Sequence, residues 1–199
     1  EAMAKVKQVV PETVFPHGYA VLNADDDLVY KMKNDLKCNI ALFSMDENNP
    51  RIKEHAKNNG LACVYENGYV TIMKGSWKIR VLPARDIPLT YEGKAIHNIN
   101  NCLPAVLSTY LFRDITIEDI RTGLQTFIPS ESLTPGRLNF FNFKHFTILA
   151  DFAHNPHGLQ LLCDFVEKLD YPSKVGVISG TGDRRDEDIR ELGAISARH

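Results

Sequence analysis

Polar and apolar positions along this chain follow two periods, and the places where one gives way to the other predict its elements. YAVLN (19–23), NIALFS (39–44) and LACVYE (61–66) are short, almost unbroken apolar runs. Runs of that length, bounded by polar segments, predict strands buried on both faces of a parallel sheet. Between them, DLVYKMKNDL and NPRIKEHAKNNG read as helices, the second closed by Gly60. Strand and helix in alternation predict an α/β fold. Residues 66–93 alternate with period two and carry turn signals at Asn67-Gly68 and Lys74-Gly75. That pattern predicts antiparallel hairpins at the sheet edge. Residues 97–112, HNINNCLPAVLSTYLF, predict a buried helix with Asn98, Asn100 or Asn101 at its start and Pro104 in its first turn. ITIEDIRTGLQTF (115–127) predicts another. The opening EAMAKVKQVV reads as the end of a helix begun upstream.

The clearest boundary is PSESLTPGR (129–137), rich in Pro, Ser and Gly between periodic segments. Beyond it the alternation restarts. FTILADF predicts a strand, LQLLCDFVEKL (159–169) a helix, KVGVISG (174–180) a strand, and TGDRRDEDIRELGAISA a loop opening a helix. The reading is two domains, 1–134 and 135–199, with no internal repeat.

Composition narrows the classes. The 199 residues are 44% hydrophobic and 24% charged, with a formal net charge of -2. The balance gives no reason to expect nucleic acid or an anionic membrane as partner. No apolar run reaches membrane-spanning length, and the first residues lack a signal-peptide pattern. Cys38, Cys63, Cys102 and Cys163 are scattered without metal or redox spacing, which fits reduced thiols in a cytoplasmic protein.

Four constellations carry candidate chemistry. DFAHNPHG (151–158) sets Asp151, His154 and Asn155 where a strand turns into a helix, the place where open α/β sheets bind ligands. There Asp can accept from sugar hydroxyls and His can donate to phosphate, or Asp151 or Asn155 can simply cap the helix. Gly180-Thr181-Gly182-Asp183-Arg184-Arg185-Asp186 follows an apolar run. Its arginines could grip a phosphate or carboxylate, or form a self-neutralising charge run. TPGR (134–137) puts Arg137 on a hinge. HNINN (97–101) places asparagines where they could cap a helix or read a base. Asp25-Asp26-Asp27 is better explained by the helix dipole than by a metal.

Taken in order, YAVLNADD, HNINNCLPA, TPGRLNFF, DFAHNP and GTGDRRDED resemble the Mur ligase superfamily of ATP-dependent amide ligases. Within it the resemblance is to the C-terminal half of the synthetases that add arginine to side-chain carboxylates of an aspartate polymer. It implies the later part of a central ATPase domain, with a parallel sheet plus antiparallel hairpins, followed by the first part of a Rossmann-like C-terminal domain, with ATP between them. It implies that Asn101 faces adenine and Arg137 reaches the phosphates. Asp151 would bind ribose or orient the closed domain, and His154 and Asn155 would line the same cleft. Arg137 and His154 are then the candidate catalytic residues. Asp183, Arg184, Arg185 and Asp186 would lie near the incoming amino acid. Lys7, if carbamylated, would help hold Mg2+. The implied partners are ATP with Mg2+, arginine and an aspartate-containing polymer, with a homo-oligomer left open. Another Mur-type acceptor, or a non-catalytic nucleotide-binding module, is the alternative. There is no G-T-N/K-G-K-T P-loop in the sequence, so the expectation is an excerpt of a larger ligase that does not hydrolyse ATP alone.

Overall fold

A computed structural model of the protein describes residues 2–180, 182 and 184–199. Two compact units divide the chain: Glu1–Gly93 with His97–Phe127, and Lys94–Ile96 with Ile128–His199.

The first unit is built on five strands in sequence order: β1 (Tyr19–Asn23), β2 (Asn39–Ser44), β3 (Leu61–Glu66), β4 (Tyr69–Lys74) and β5 (Trp77–Pro83). Helix α1 (Ala2–Glu12) precedes them. Helices α2 (Asp27–Lys31, tightening into a 3-10 turn at Met32–Asp35) and α3 (Pro50–Lys57) carry the chain back, so β1, β2 and β3 pair parallel. The register sets Val21 against Ala41 and Leu42 against Ala62. The return to β4 is a two-residue turn with Asn67 at φ 49° and Gly68 at φ 85°. Two positive φ values match the right-handed strand twist, and that geometry suits Asn-Gly. The α/β class with a parallel-rich sheet is therefore the one the pattern predicts.

Both faces of this sheet are buried. On one, Ala41, Cys63, Val70, Ile72 and Val81 meet Cys102, Leu103, Val106 and Leu107 of α4 (Ile96–Tyr110) and Ile120 of α5 (Ile117–Thr126). On the other, Leu22, Leu42, Ala62 and Val64 meet Ile52 and Ala56 of α3. Each fully buried aliphatic side chain here contributes about 2 kcal/mol from area alone. Helix α4 begins earlier than the sequence predicts, so Pro104 falls in mid-helix rather than in its first turn. The cause lies just upstream: Tyr91, Glu92 and Gly93 all have positive φ and turn the chain before Ile96. Proline has no N–H, so the Asn100 carbonyl loses its helical donor.

The second unit is smaller. Strands β6 (Asn139–Asn142) and β7 (Thr147–Ala150) pair antiparallel, with Phe140 opposite Leu149. Phe140 meets Phe165 of α6 (Pro156–Glu167) edge to face at 6.3 Å between centroids. Helix α6 packs on α7 (Asp186–Ser196) through Leu159, Leu192 and Ile195. The strand predicted at KVGVISG is not formed. Residues 174–180 have no regular structure, with Val175 89% and Val177 96% exposed. A strand exists only with a partner, and the hairpin β6–β7 takes its pairing from NFFN, which local pattern did not reveal.

Candidate functional site

The carboxyl ends of β1 and β2 are the first place to look for a ligand. There the polar groups already serve one another. Asp25 accepts hydrogen bonds from Ser44 Oγ (2.5 Å), the Met45 amide (2.8 Å) and Asn49 Nδ2 (2.8 Å). Asp26 caps α2, accepting from the Leu28 and Val29 amides at 2.8 and 2.9 Å. Asp27 is paired with Arg51, whose hydrogen bond and charge hold that carboxyl below its usual range. Arg51 also donates to the Ala24 carbonyl at 2.8 Å. Asp26 and Asp27 sit at the start of α2, where the dipole reading puts them, whereas Asp25 ties neighbouring loops together. Neither Ser44 nor Arg51 was singled out from sequence, because their partners lie about twenty residues away.

At the start of α4, Asn98 Nδ2 donates to the Leu89 carbonyl at 2.8 Å and anchors the turn ahead of the helix. Asn101 lies one turn further, its side chain exposed. Asn100 Oδ1 is buried without a partner among the described residues.

In the second unit the sequence candidates converge. The loop 134–138 is left-handed at Gly136 (φ 69°) and at Leu138 (φ 47°). Its amides are all engaged: Gly136 N–H donates to Asn139 Oδ1 (2.6 Å), Arg137 N–H to the Thr134 carbonyl (3.0 Å) and Leu138 N–H to Asp151 Oδ2 (2.9 Å). Phe152 N–H donates back to the Gly136 carbonyl at 2.8 Å. Asp151 thus ties the end of β7 to the loop that carries Arg137. The Arg137 guanidinium sits 5.9 Å from the Phe152 ring centroid. It is exposed, and among the described residues no carboxylate lies within 4.0 Å of it. The Phe152 and His154 rings are 5.1 Å apart. His154 Nδ1 lies 3.0 Å from the Phe152 carbonyl. A carbonyl only accepts, so Nδ1 carries the proton there and the neutral ring keeps its lone pair on Nε2. Asn155 caps α6, its Oδ1 accepting from the Gly158 amide at 2.8 Å, with Pro156 in the first turn.

The start of α7 is different. Arg185 holds Asp188 with two hydrogen bonds, of 3.1 and 2.8 Å, and lies 3.9 Å from Glu187. The Arg185 hydrogen bond and charge lower the Asp188 pKa. Asp186 lies 3.9 Å from Arg190, one turn on. Arg184 is exposed, and Asp183 is outside the described residues. Lys7 is exposed on α1, in the first unit. Among the described residues no group of three or more His, Cys, Asp or Glu could hold a metal ion. The cysteines are free thiols, and burial pushes Cys102 up to about 11 and Cys63 further still. Both are poor nucleophiles near neutrality. No helix among the described residues is long and apolar enough to cross a membrane.

No family model matches the chain. Over 198 residues it is 48% identical to the cyanophycin synthetase of Synechocystis sp., covering 100% of this chain and 22% of that protein. The cyanophycin synthetase of Trichormus variabilis is 45% identical over 197 residues, 99% of this chain and 22% of that one. The UDP-N-acetylmuramate–L-alanine ligase of Acetivibrio thermocellus is 28% identical over 178 residues, 86% and 33% respectively. Among solved structures, a murein peptide ligase from Psychrobacter arcticus matches with a TM-score of 0.57 at 12% identity, covering 98% of this chain and 39% of that one, a likeness of fold. The chain is a relative of the cyanophycin synthetases along its whole length, and it spans about a fifth of theirs (22%). The proteins it resembles carry the names of synthetases and ligases.

Proposed function

We propose that this relative of the cyanophycin synthetases and Mur ligases forms part of an ATP-dependent carbon–nitrogen ligase that joins arginine to the side-chain carboxylate of an aspartate-containing polymer. The domain assignment belongs to the proposal: residues 1–134 as central-domain sequence, and residues 135–199 as the start of a C-terminal Rossmann-like domain. ATP supplies the phosphoryl group that activates the carboxylate as an acyl phosphate, and the amine displaces phosphate through a tetrahedral intermediate.

The observation that carries this reading is the state of Arg137. It is the candidate phosphate-binding cation whose charge no described carboxylate neutralises, and it is held on a loop bonded to Asp151. Phosphoryl transfer is helped mainly by cations positioned along the phosphates. In this reading Arg137 steadies charge on the transferring phosphoryl oxygens. His154, with Nδ1 donating to Phe152, offers Nε2 to take a proton from the attacking amine. Asp151 orients the Arg137 loop, and Asn155 starts α6 beside it. Asn101, exposed on α4, is assigned to adenine. The Arg184–Asp186 segment, with Asp183, is assigned to the incoming amino acid. The described residues offer no metal cluster, so no step is assigned to Mg2+.

The test follows phosphate release by the full-length gene product with ATP, Mg2+, an aspartate-rich primer and L-arginine, each omitted in turn. Release that needs both primer and arginine, and that falls about 100-fold in kcat/KM in Arg137→Ala, is the expected result. Release with muramyl or folyl acceptors instead would move the substrate to another Mur-type ligase. Nucleotide binding without release would leave a binding module.

A further inference from the structure

We infer that Asn139 is the positioning residue that aims Arg137, an inference that rests on the assignment of Arg137 to phosphate. Asn139 is a buried polar side chain, 4% exposed, at the first position of β6. Among the described residues, its carboxamide bonds to the loop just before it. Oδ1 accepts from the Gly136 amide at 2.6 Å. Nδ2 donates to the Thr134 carbonyl at 3.0 Å and to the Arg137 carbonyl at 3.3 Å. One side chain therefore grips the loop at Thr134 and Gly136, just before Arg137, and at Arg137 itself.

The loop needs that grip. Leu138 is a non-glycine residue in the left-handed region, a conformation that persists only where the surroundings over-determine it. Asp151 and Asn139 supply the bonds that do so. The amides of Gly136, Arg137 and Leu138 are all spent within the unit, so the backbone has nothing to offer an anion. Only the guanidinium is left. A flexible side chain on a mobile loop would sample many directions, and misplacement by about an ångström is enough to cost a large part of the rate. Asn is specific to the task because it donates to two carbonyls and accepts from one amide. Asp has the same shape but would set a carboxylate oxygen against those two carbonyl oxygens.

The experiment is a double-mutant cycle in the full-length gene product, using Asn139→Asp, Arg137→Ala and both together, with kcat and the KM for ATP read separately. Asn139→Asp alone is expected to lower kcat by about tenfold or more in protein that is folded under assay conditions, with some loss of stability in urea. In the Arg137→Ala background it should add less than about twofold, because the group it aims is gone. Multiplicative effects, or a wild-type rate in folded Asn139→Asp, overturn the inference and leave the role of Arg137 standing. An Arg137→Ala variant with the wild-type rate instead removes the phosphate assignment, and the inference with it. If Asn139→Asp does not fold, Asn139→Ser carries the same cycle. If wild type releases no phosphate, amide exchange at Gly136 and Leu138 is read: acceleration of about tenfold in Asn139→Ser, with α6 amides unchanged, keeps the clamp, and unchanged rates sink it.

Discussion

The carboxyl end of β1 and the loop before β6 carry equally suggestive residues, and only one of them leaves a charged side chain free. At the end of β1, three consecutive aspartates meet Ser44, Asn49 and Arg51, and each carboxylate is already bonded. In the loop before β6 the polar groups are just as fully bonded, but all the bonds go to the backbone and to Asn139 and Asp151. The guanidinium of Arg137 is left over. In the first region the charges are the structure. In the second the structure holds a charge that faces the Phe152 ring and that no described carboxylate neutralises. Composition and position at a strand end do not separate these cases, whereas the ledger of hydrogen-bond partners does.

That contrast is most exposed at Asp25. Its carboxylate ties β2 to the start of α3 through three bonds, so Asp25→Ala is expected to cost about 2–3 kcal/mol of stability, at roughly 1 kcal/mol for each bond. Urea unfolding of the 199-residue chain measures it. The KM for ATP of the full-length product should not move. A stable Asp25→Ala protein that lost nucleotide affinity would make the end of β1 a ligand site and break the comparison.

How much of this was legible beforehand follows from the range of each interaction. Strands β1, β2 and β3 were legible because burial on both faces leaves unbroken apolar runs, and the turn into β4 because Asn-Gly is strongly selective for it. Pairing is non-local, so NFFN was missed as a strand and KVGVISG was assigned one it does not form. At the site, Arg137, Asp151 and His154 are neighbours because TPGR and DFAHNP flank one hairpin. Asn155 could be read as cap or ligand, and it caps. Asn139 went unnoticed although a signal existed. An Asn three residues after a Gly can accept from that glycine's amide, much as an N-cap side chain bonds three residues along.

A smaller effect separates two histidines in the same terms. His55, on α3, is half-buried, with Nε2 3.1 Å from the Leu61 carbonyl, whereas His154 leaves Nε2 open. Burial outweighs that bond, and with Lys33 nearby it holds the His55 pKa below 6.5. The unfolded chain therefore takes up the proton first as pH falls. The stability tied to a neutral His55 is complete above 6.5 and is lost as pH drops through the folded pKa. Urea midpoints between pH 7.5 and 5 should fall in wild type and in His154→Gln, and fall less in His55→Gln. Equal slopes in all three would remove His55 as the source.

The smallest expected effect lies at the start of α7, and there the comparison is sharpest, because the side chain is again an arginine beside a helix. Arg185 is exposed and its guanidinium is taken up by Asp188 of its own helix. To bind a substrate carboxylate it would first have to release Asp188, so much of any gain is cancelled by the pair it loses. Arg185→Ala is therefore expected to change kcat/KM for arginine by no more than about threefold, against about 100-fold for Arg137→Ala. Asp188→Ala frees the guanidinium without removing it. If it tightens the KM for an anionic substrate while Arg185→Ala does little, the Arg185–Asp188 pair is masking a binding group. If neither variant moves KM, the pair is a surface tie, and Arg137 remains the arginine whose charge is available to the reaction.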